Sequence, residues 1–99
     1  MKSIYLICYD ISNDKNRTKI SEELEQYGER INYSVFECFI TPAQLNNILS
    51  FIEEKMDKKH DSVKYYYICK SCYLKSNELG KKQEKTMETK FIKTKRSNR

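Results

Sequence analysis

From Ile4 to Tyr9 every position is apolar or aromatic (Ile4-Tyr5-Leu6-Ile7-Cys8-Tyr9), and the run stops at Asp10. Side chains alternate along a strand, so Ile4, Leu6 and Cys8 share one face and Tyr5, Ile7 and Tyr9 the other. A strand with one wet face would alternate polar and apolar residues. The strand over residues 3–9 has two apolar faces instead, which predicts helices on one side and a second chain on the other. Beyond Asp10 the period changes. Ser12 and Asn13 suit a helix cap and Asp14 its first turn. Ile20, Leu24 and Tyr27 then recur at helical spacing, with Gly28 as the predicted stop.

Arg30 to Ile40 is rich in β-branched and aromatic residues and reads as the second strand. Thr41-Pro42-Ala43-Gln44 starts a helix: a Thr cap, Pro at the first position and Gln three residues after the cap. Leu45, Ile48, Leu49, Ile52 and Met56 form its apolar face, and Asp57 to Asp61 a polar loop. Val63 to Cys69 is the third strand, dense in tyrosine, with Cys69-Lys70-Ser71-Cys72 as its exit. Tyr73 to Leu79 is predicted to be a fourth, shorter strand ended by Gly80. A weak strand signal surrounds Phe91-Ile92 within residues 87–93, and from Thr94 the expectation is disorder. Two helices against one antiparallel sheet make an α+β sandwich of the ferredoxin-like kind. That fold needs the order β-α-β-β-α-β, which is recovered if the segment 30–40 bends near Tyr33-Ser34 into two pairing pieces.

Ninety-nine residues allow one domain with a modest core, so support from a partner chain is expected. No run is long and apolar enough to cross a membrane, and Met1-Lys2-Ser3 leads straight into a strand pattern with no secretory cleavage site. The expected compartment is the cytoplasm, where four cysteines stay reduced. The net charge of +5 is unevenly spread: residues 1–80 carry 11 basic against 12 acidic side chains, residues 81–99 carry 8 against 2. The division is therefore a near-neutral domain over 1–80 and a basic C-terminal segment over 81–99. Such a segment is either a solvated end or a contact for an acidic partner such as nucleic acid.

Asp10 is the first candidate for chemistry. A carboxylate at the tip of a buried strand is desolvated unless a cation satisfies it; the plainer alternatives are a helix cap or an Asx turn. One carboxylate per chain is too few for a tight magnesium site. A two-fold axis near Asp10 would bring two together, with water and a phosphate oxygen completing an octahedral shell. Without a cation the two acids would repel and one would tend to hold a proton. Arg17 and Lys19, two apart, do not share a helix face; they are either solvated or phosphate contacts, and Arg30 could fork onto a phosphate.

Other constellations are weaker. Cys69 and Cys72 form a lone C-x-x-C, short of the four ligands of a zinc site and without a thioredoxin-like setting. Cys8 and Cys38 pack as small hydrophobes. His60, the only histidine, sits in a loop, which leaves no Ser-His-Asp arrangement, and two glycines make no phosphate loop. Tyr5, Tyr9, Tyr33, Tyr65, Tyr66, Tyr67 and Tyr73 are core and interface residues or platforms for bases.

Three segments together resemble the CRISPR-associated protein two family: Tyr5-Leu6-Ile7-Cys8-Tyr9-Asp10-Ile11-Ser12, Lys15-Asn16-Arg17-Thr18-Lys19-Ile20, and Tyr27-Gly28-Glu29-Arg30-Ile31-Asn32-Tyr33-Ser34-Val35-Phe36-Glu37-Cys38. The likeness continues through Gln44-Leu45, Asp61-Ser62-Val63 and the Cys69-to-Cys72 exit, from residue 3 to about 80. It implies a ferredoxin-like fold and a homodimer packed through its sheets, with a last strand exchanged onto the partner's sheet. It implies Mg2+ at Asp10 on the dimer axis and phosphodiester hydrolysis of RNA or DNA. Tyr9, Arg17, Arg30 and Phe36 match positions around that site. Lys19 stands where some members have Arg and lacks the bidentate fork. The resemblance further implies a place in CRISPR adaptation, bridging integrase dimers and holding DNA. Three readings follow: a magnesium-dependent endonuclease acting through Asp10, a non-catalytic DNA-holding scaffold, and a general RNA-binding module using its tyrosines.

Overall fold

The segment from Arg30 to Ile40 is not one strand. In the computed structural model, which describes residues 1–80, it divides between β2 (Gly28–Asn32) and β3 (Val35–Ile40), joined at Tyr33-Ser34. The bend expected there is present. Arg30 pairs with Phe36 and Asn32 with Val35, so Ile31 is an extra residue on β2 and the hairpin carries a bulge. The other elements are β1 (Ser3–Asp10), α1 (Asp14–Glu25), α2 (Pro42–Lys55), β4 (Ser62–Ile68) and α3 (Lys70–Lys75). The antiparallel sheet has the order β2-β3-β1-β4, and the elements through β4 run β-α-β-β-α-β, the ferredoxin-like arrangement.

Capping sets the helix starts. The Asn13 side chain accepts from the Asn16 amide at 2.9 Å, and Asp14 occupies the first turn of α1. Thr41 and Gln44 form a reciprocal capping box, at 3.1 Å and 2.9 Å, with Pro42 at the first position of α2. Gly28 plays a different part from the helix stop expected of it. The Gln26 amide closes α1 onto Glu23 and Leu24, and Gly28 already belongs to β2. A Cβ there would lie 2.2 Å from the Glu37 carbonyl oxygen and 2.8 Å from Cys38 Cα. The close approach of β2 to β3 admits only hydrogen at this position.

One face of the sheet is covered as the periodicity requires. Ile20 and Leu24 of α1 and Leu45, Ile48 and Ile52 of α2 bury against Ile7, Tyr9, Phe36, Cys38 and Ile40. Leu49 and Met56 pack at the margin. Each buried aliphatic side chain stabilises by roughly 1.5–3 kcal/mol.

The other face brings a correction. Residues 70–75 form the short helix α3, where a strand was expected from Tyr73. The chain turns at Cys69, whose sulfur accepts from the Cys72 amide at 3.5 Å. Tyr73 is thereby laid on Ile4, with Phe39, Ile68 and Leu74 around them. Two adjacent apolar residues among lysines and serines give no helical period to read, and burial against Ile4 decides the conformation. Further along this face Leu6, Cys8 and Val35 stay half-buried and Tyr66 is exposed. The strand signal near 87–93, the basic segment and the end expected to be disordered lie outside the described residues. No described helix is long and apolar enough to cross a membrane.

Candidate functional site

β1 outruns β3 at its C-terminal end. Its pairing with β3 stops at Cys8–Val35, whereas that with β4 continues to Asp10–Ser62. Beyond Cys8 the strand is held on the hairpin side by one further bond, from the Tyr9 amide to the Ser34 carbonyl at 3.0 Å. The step between the strand tip, the β2–β3 turn and α1 is a cavity of about 520 Å³. Tyr9, Asp10, Arg17, Arg30, Tyr33 and Ser34 are among its lining residues.

Asp10 is exposed, contrary to the expectation of a desolvated carboxylate. As the last residue of β1 it lies past the cover that buries Tyr9, and it opens to solvent and the cavity. Strand alternation places it on the face of Leu6 and Cys8, opposite the core. Arg17 is fixed from both ends: one guanidinium nitrogen donates to the Ile11 carbonyl at 2.9 Å and the other pairs with Asp14. Arg30 lies over the Phe36 ring, 5.1 Å from its centroid, donates to the Tyr33 carbonyl, and stands 3.8 Å from Glu25.

Phe36 is fully buried and Tyr9 nearly so, their rings stacked at 6.3 Å between centroids. Phe36 therefore presents no exposed surface of its own, and its contacts with the site are those with Tyr9 and Arg30. Burial raises the Tyr9 phenol above its ordinary range, against the lowering influence of the Arg30 charge and hydrogen bond and of Arg17. Lys19 is exposed on α1 and is not among the cavity residues, because the face that carries Arg17, Thr18 and Ser21 turns away from it. The structure thus gathers Tyr9, Asp10, Arg17 and Arg30, sets Phe36 beneath them and leaves Lys19 aside.

The donor chemistry fits magnesium in one way. Mg2+ is commonly held by one or two carboxylates plus substrate phosphate and water, and Asp10 supplies an accessible carboxylate in a cavity that Arg17 and Arg30 also line. No cluster of three or more His, Cys, Asp or Glu side chains able to hold a metal occurs among the described residues. The four cysteines are free thiols, with Cys38 buried and its pKa pushed up to about 12, mainly by desolvation.

Sequence reasoning missed Asp61, treated there as part of a polar loop. Its carboxylate is buried and accepts three hydrogen bonds: from the Asp57 amide at 2.8 Å, the Ser12 amide at 2.9 Å and the Ser12 hydroxyl at 2.8 Å. These hold its pKa below the ordinary value. The available signal was an acid immediately before a strand that pairs with the strand ending at Asp10. Its partner, 49 residues away, has no local pattern.

The family model described as CRISPR associated protein Cas2 matches residues 2–76. A CRISPR-associated endoribonuclease Cas2 of Rhodospirillum rubrum is 32% identical over 88 residues, covering 89% of this chain and 71% of that protein. Another, from Chloroflexus aurantiacus, is 45% identical over 71 residues, covering 69% and 74%. Among solved structures, Streptococcus pyogenes Cas2 at pH 6.5 superposes with a TM-score of 0.69 at 29% identity, covering 78% of this chain and 99% of that one. A chain of a partial Cas6-RT-Cas1–Cas2 complex gives 0.62 at 36% identity, covering 80% and 91%. With its strand order, its Asp10 tip and a family match spanning most of its length, the chain belongs to the CRISPR-associated Cas2 family.

Proposed function

We propose that the protein is a magnesium-dependent endonuclease for RNA or DNA phosphodiesters that works in CRISPR adaptation as a homodimer. The observation that carries this reading is the convergence of Asp10, Arg17 and Arg30 on one cavity. The relatives' names support it: endoribonuclease for the R. rubrum protein and endonuclease for one from Thermus thermophilus. A second copy would cover the half-buried Leu6–Cys8 face, which also carries Asp10, so two Asp10 carboxylates can meet across a two-fold axis. The compartment that suits free thiols is the cytoplasm.

Arg17 and Arg30 grip the substrate phosphate; each already has a backbone anchor, so little side-chain freedom is lost on binding. Asp10 would hold the ion as a ligand rather than serve as a general base. Tyr9 and Phe36 hold Arg30 in place from below. When bound, Mg2+ would supply polarisation of the scissile phosphate and an activated water. The test is magnesium-dependent cleavage by the purified chain beside Asp10→Ala: loss in the variant is expected, and equal cleavage by both would remove the enzyme reading.

One observation favours a second reading, a non-catalytic scaffold that holds DNA beside an integrase subunit. Asp10 is exposed and is the only carboxylate among the described residues that line the cavity. The neighbouring structure of a complex containing Cas1 and Cas2 supports an integrase partner. Spacer acquisition that survives Asp10→Ala would select the scaffold.

A further inference from the structure

We infer that Asp61 is a positioning residue for Asp10, an inference that rests on the nuclease reading of this site. The end of β1 needs such a device. Asp10 lies beyond the last β3 partner and pairs only with Ser62 of β4. One residue before Ser62, the Asp61 carboxylate takes Ser12 by both its amide and its hydroxyl, 2.9 Å and 2.8 Å away. The chain on either side of Ile11 is thus tied to Ser62 and to the residue before it. Ile11 between the ties is buried, and its carbonyl is the anchor of Arg17. One buried carboxylate therefore sets the exit angle of the strand tip and the reference point of Arg17. Asp61 is not among the cavity residues, so its contacts reach the site through Ser12 and the strand tip.

The chemistry of the three donors explains why a carboxylate is needed. One Asp61 oxygen accepts both bonds from Ser12 and the other accepts the Asp57 amide at 2.8 Å. Asparagine has the same shape, but its NH2 group would face an N–H donor on one side or the other. Either the Ser12 clamp or the Asp57 bond must open, and the strand tip is released or shifted. A displacement on the order of 1 Å at a ligand position is enough to weaken metal affinity and catalysis heavily.

The experiment compares the full-length chain with Asp61→Asn, Ser12→Ala and Asp10→Ala, each below its own unfolding transition. Mn2+ serves as a paramagnetic probe of divalent binding in the presence of an uncleaved oligonucleotide, and cleavage is followed against Mg2+ concentration. Expected is a rise on the order of 10-fold in Mn2+ half-saturation for Asp61→Asn, a smaller rise for Ser12→Ala and loss of site binding for Asp10→Ala. A merely structural role would lower the unfolding temperature and leave half-saturation alone. Unchanged half-saturation in folded Asp61→Asn and Ser12→Ala, with Asp10→Ala defective, would overturn the positioning role and leave the nuclease reading standing. Should Asp61→Asn not fold, Ser12→Ala decides by the same criterion. Mn2+ binding by Asp10→Ala equal to that of the parent would overturn both.

Discussion

The Arg30 guanidinium rests on Phe36, 5.1 Å from a ring with no solvent exposure of its own. A surface cation is thereby referenced to the hydrophobic core, and the geometry of the cavity becomes sensitive to core packing. The pairing of Arg30 with Phe36 across the β2–β3 ladder enforces the contact, and the bulge at Ile31 follows immediately.

That relationship separates charge from shape in nucleic-acid binding. Arg30→Lys keeps the charge but loses the planar stack and the bidentate fork. Its affinity for a short oligonucleotide should fall several-fold, about 1 kcal/mol, while the salt dependence stays the same. Arg30→Gln should lower affinity further and reduce the slope of log K against log salt by roughly one phosphate contact. A titration series from low to moderate salt checks both. Equal slopes for Gln and the parent would place Arg30 outside the phosphate path.

Gly28 links the hairpin to the sheet by the lack of a side chain. In Gly28→Ala the new methyl would sit 2.2 Å from a backbone oxygen, which no rotamer change relieves. Destabilisation of about 1–3 kcal/mol or more is expected in urea unfolding. Because β2 also carries Arg30, nucleic-acid affinity should fall in the surviving folded fraction. A variant as stable as the parent would mean that β2 can shift on β3 without loss.

Much of this arrangement was legible in the residues, and the rest was hidden for identifiable reasons. The unbroken apolar run before Asp10, the Thr41–Gln44 box and the helical stripe of α2 are local signals, and local physics decides them. The two pieces of the hairpin were readable from length and from the resemblance. α3 was not, because Tyr73 and Leu74 take their conformation from Ile4 and Phe39, far away in sequence. Phe36 belonged to the right neighbourhood, yet strand alternation alone does not tell whether an aromatic ring serves the surface or supports it. Asp61 looked like ordinary loop polarity because both Ser12 donors arrive from the far end of the chain.

The loop that contains Asp61 also gives the stability a pH signature. His60 Nδ1 and Asp57 Oδ2 are 2.9 Å apart; the bond to Asp57 raises the His60 pKa above 6.5, and the same bond is the main cause that lowers Asp57 below 3.8. A raised histidine contributes stability that is complete below its unfolded value and lost as pH rises through the folded value. A lowered carboxylate contributes above its unfolded value and loses it as pH falls through the folded one. The pair is therefore most stabilising between about 4 and 6.5. Asp61, lowered by its three hydrogen bonds, adds to the loss on the acid side. His60→Ala should flatten the decline on the alkaline side of that window and leave the loss from Asp61 on the acid side in place, read from unfolding temperature against pH. The pair is exposed, so added salt should shrink the His60 contribution.

The open face of β1 carries the final prediction. Leu6 and Cys8 are half-buried there, and Asp10 follows them on the same side of the strand. If a second copy covers this face, Leu6→Glu places two unpaired charges in one interface, and the dimer should dissociate in analytical ultracentrifugation. The single chain should stay folded, because its core is built from the opposite face, where Ile7, Phe36 and Ile48 are buried without any help from Leu6. On the proposed reading, in which the ion is shared by one Asp10 from each monomer, magnesium-dependent cleavage should then vanish together with the dimer. A folded monomer that still cleaves would break the link between the shared ion and hydrolysis, and would return Asp10 to the role of a lone ligand beside Arg17 and Arg30.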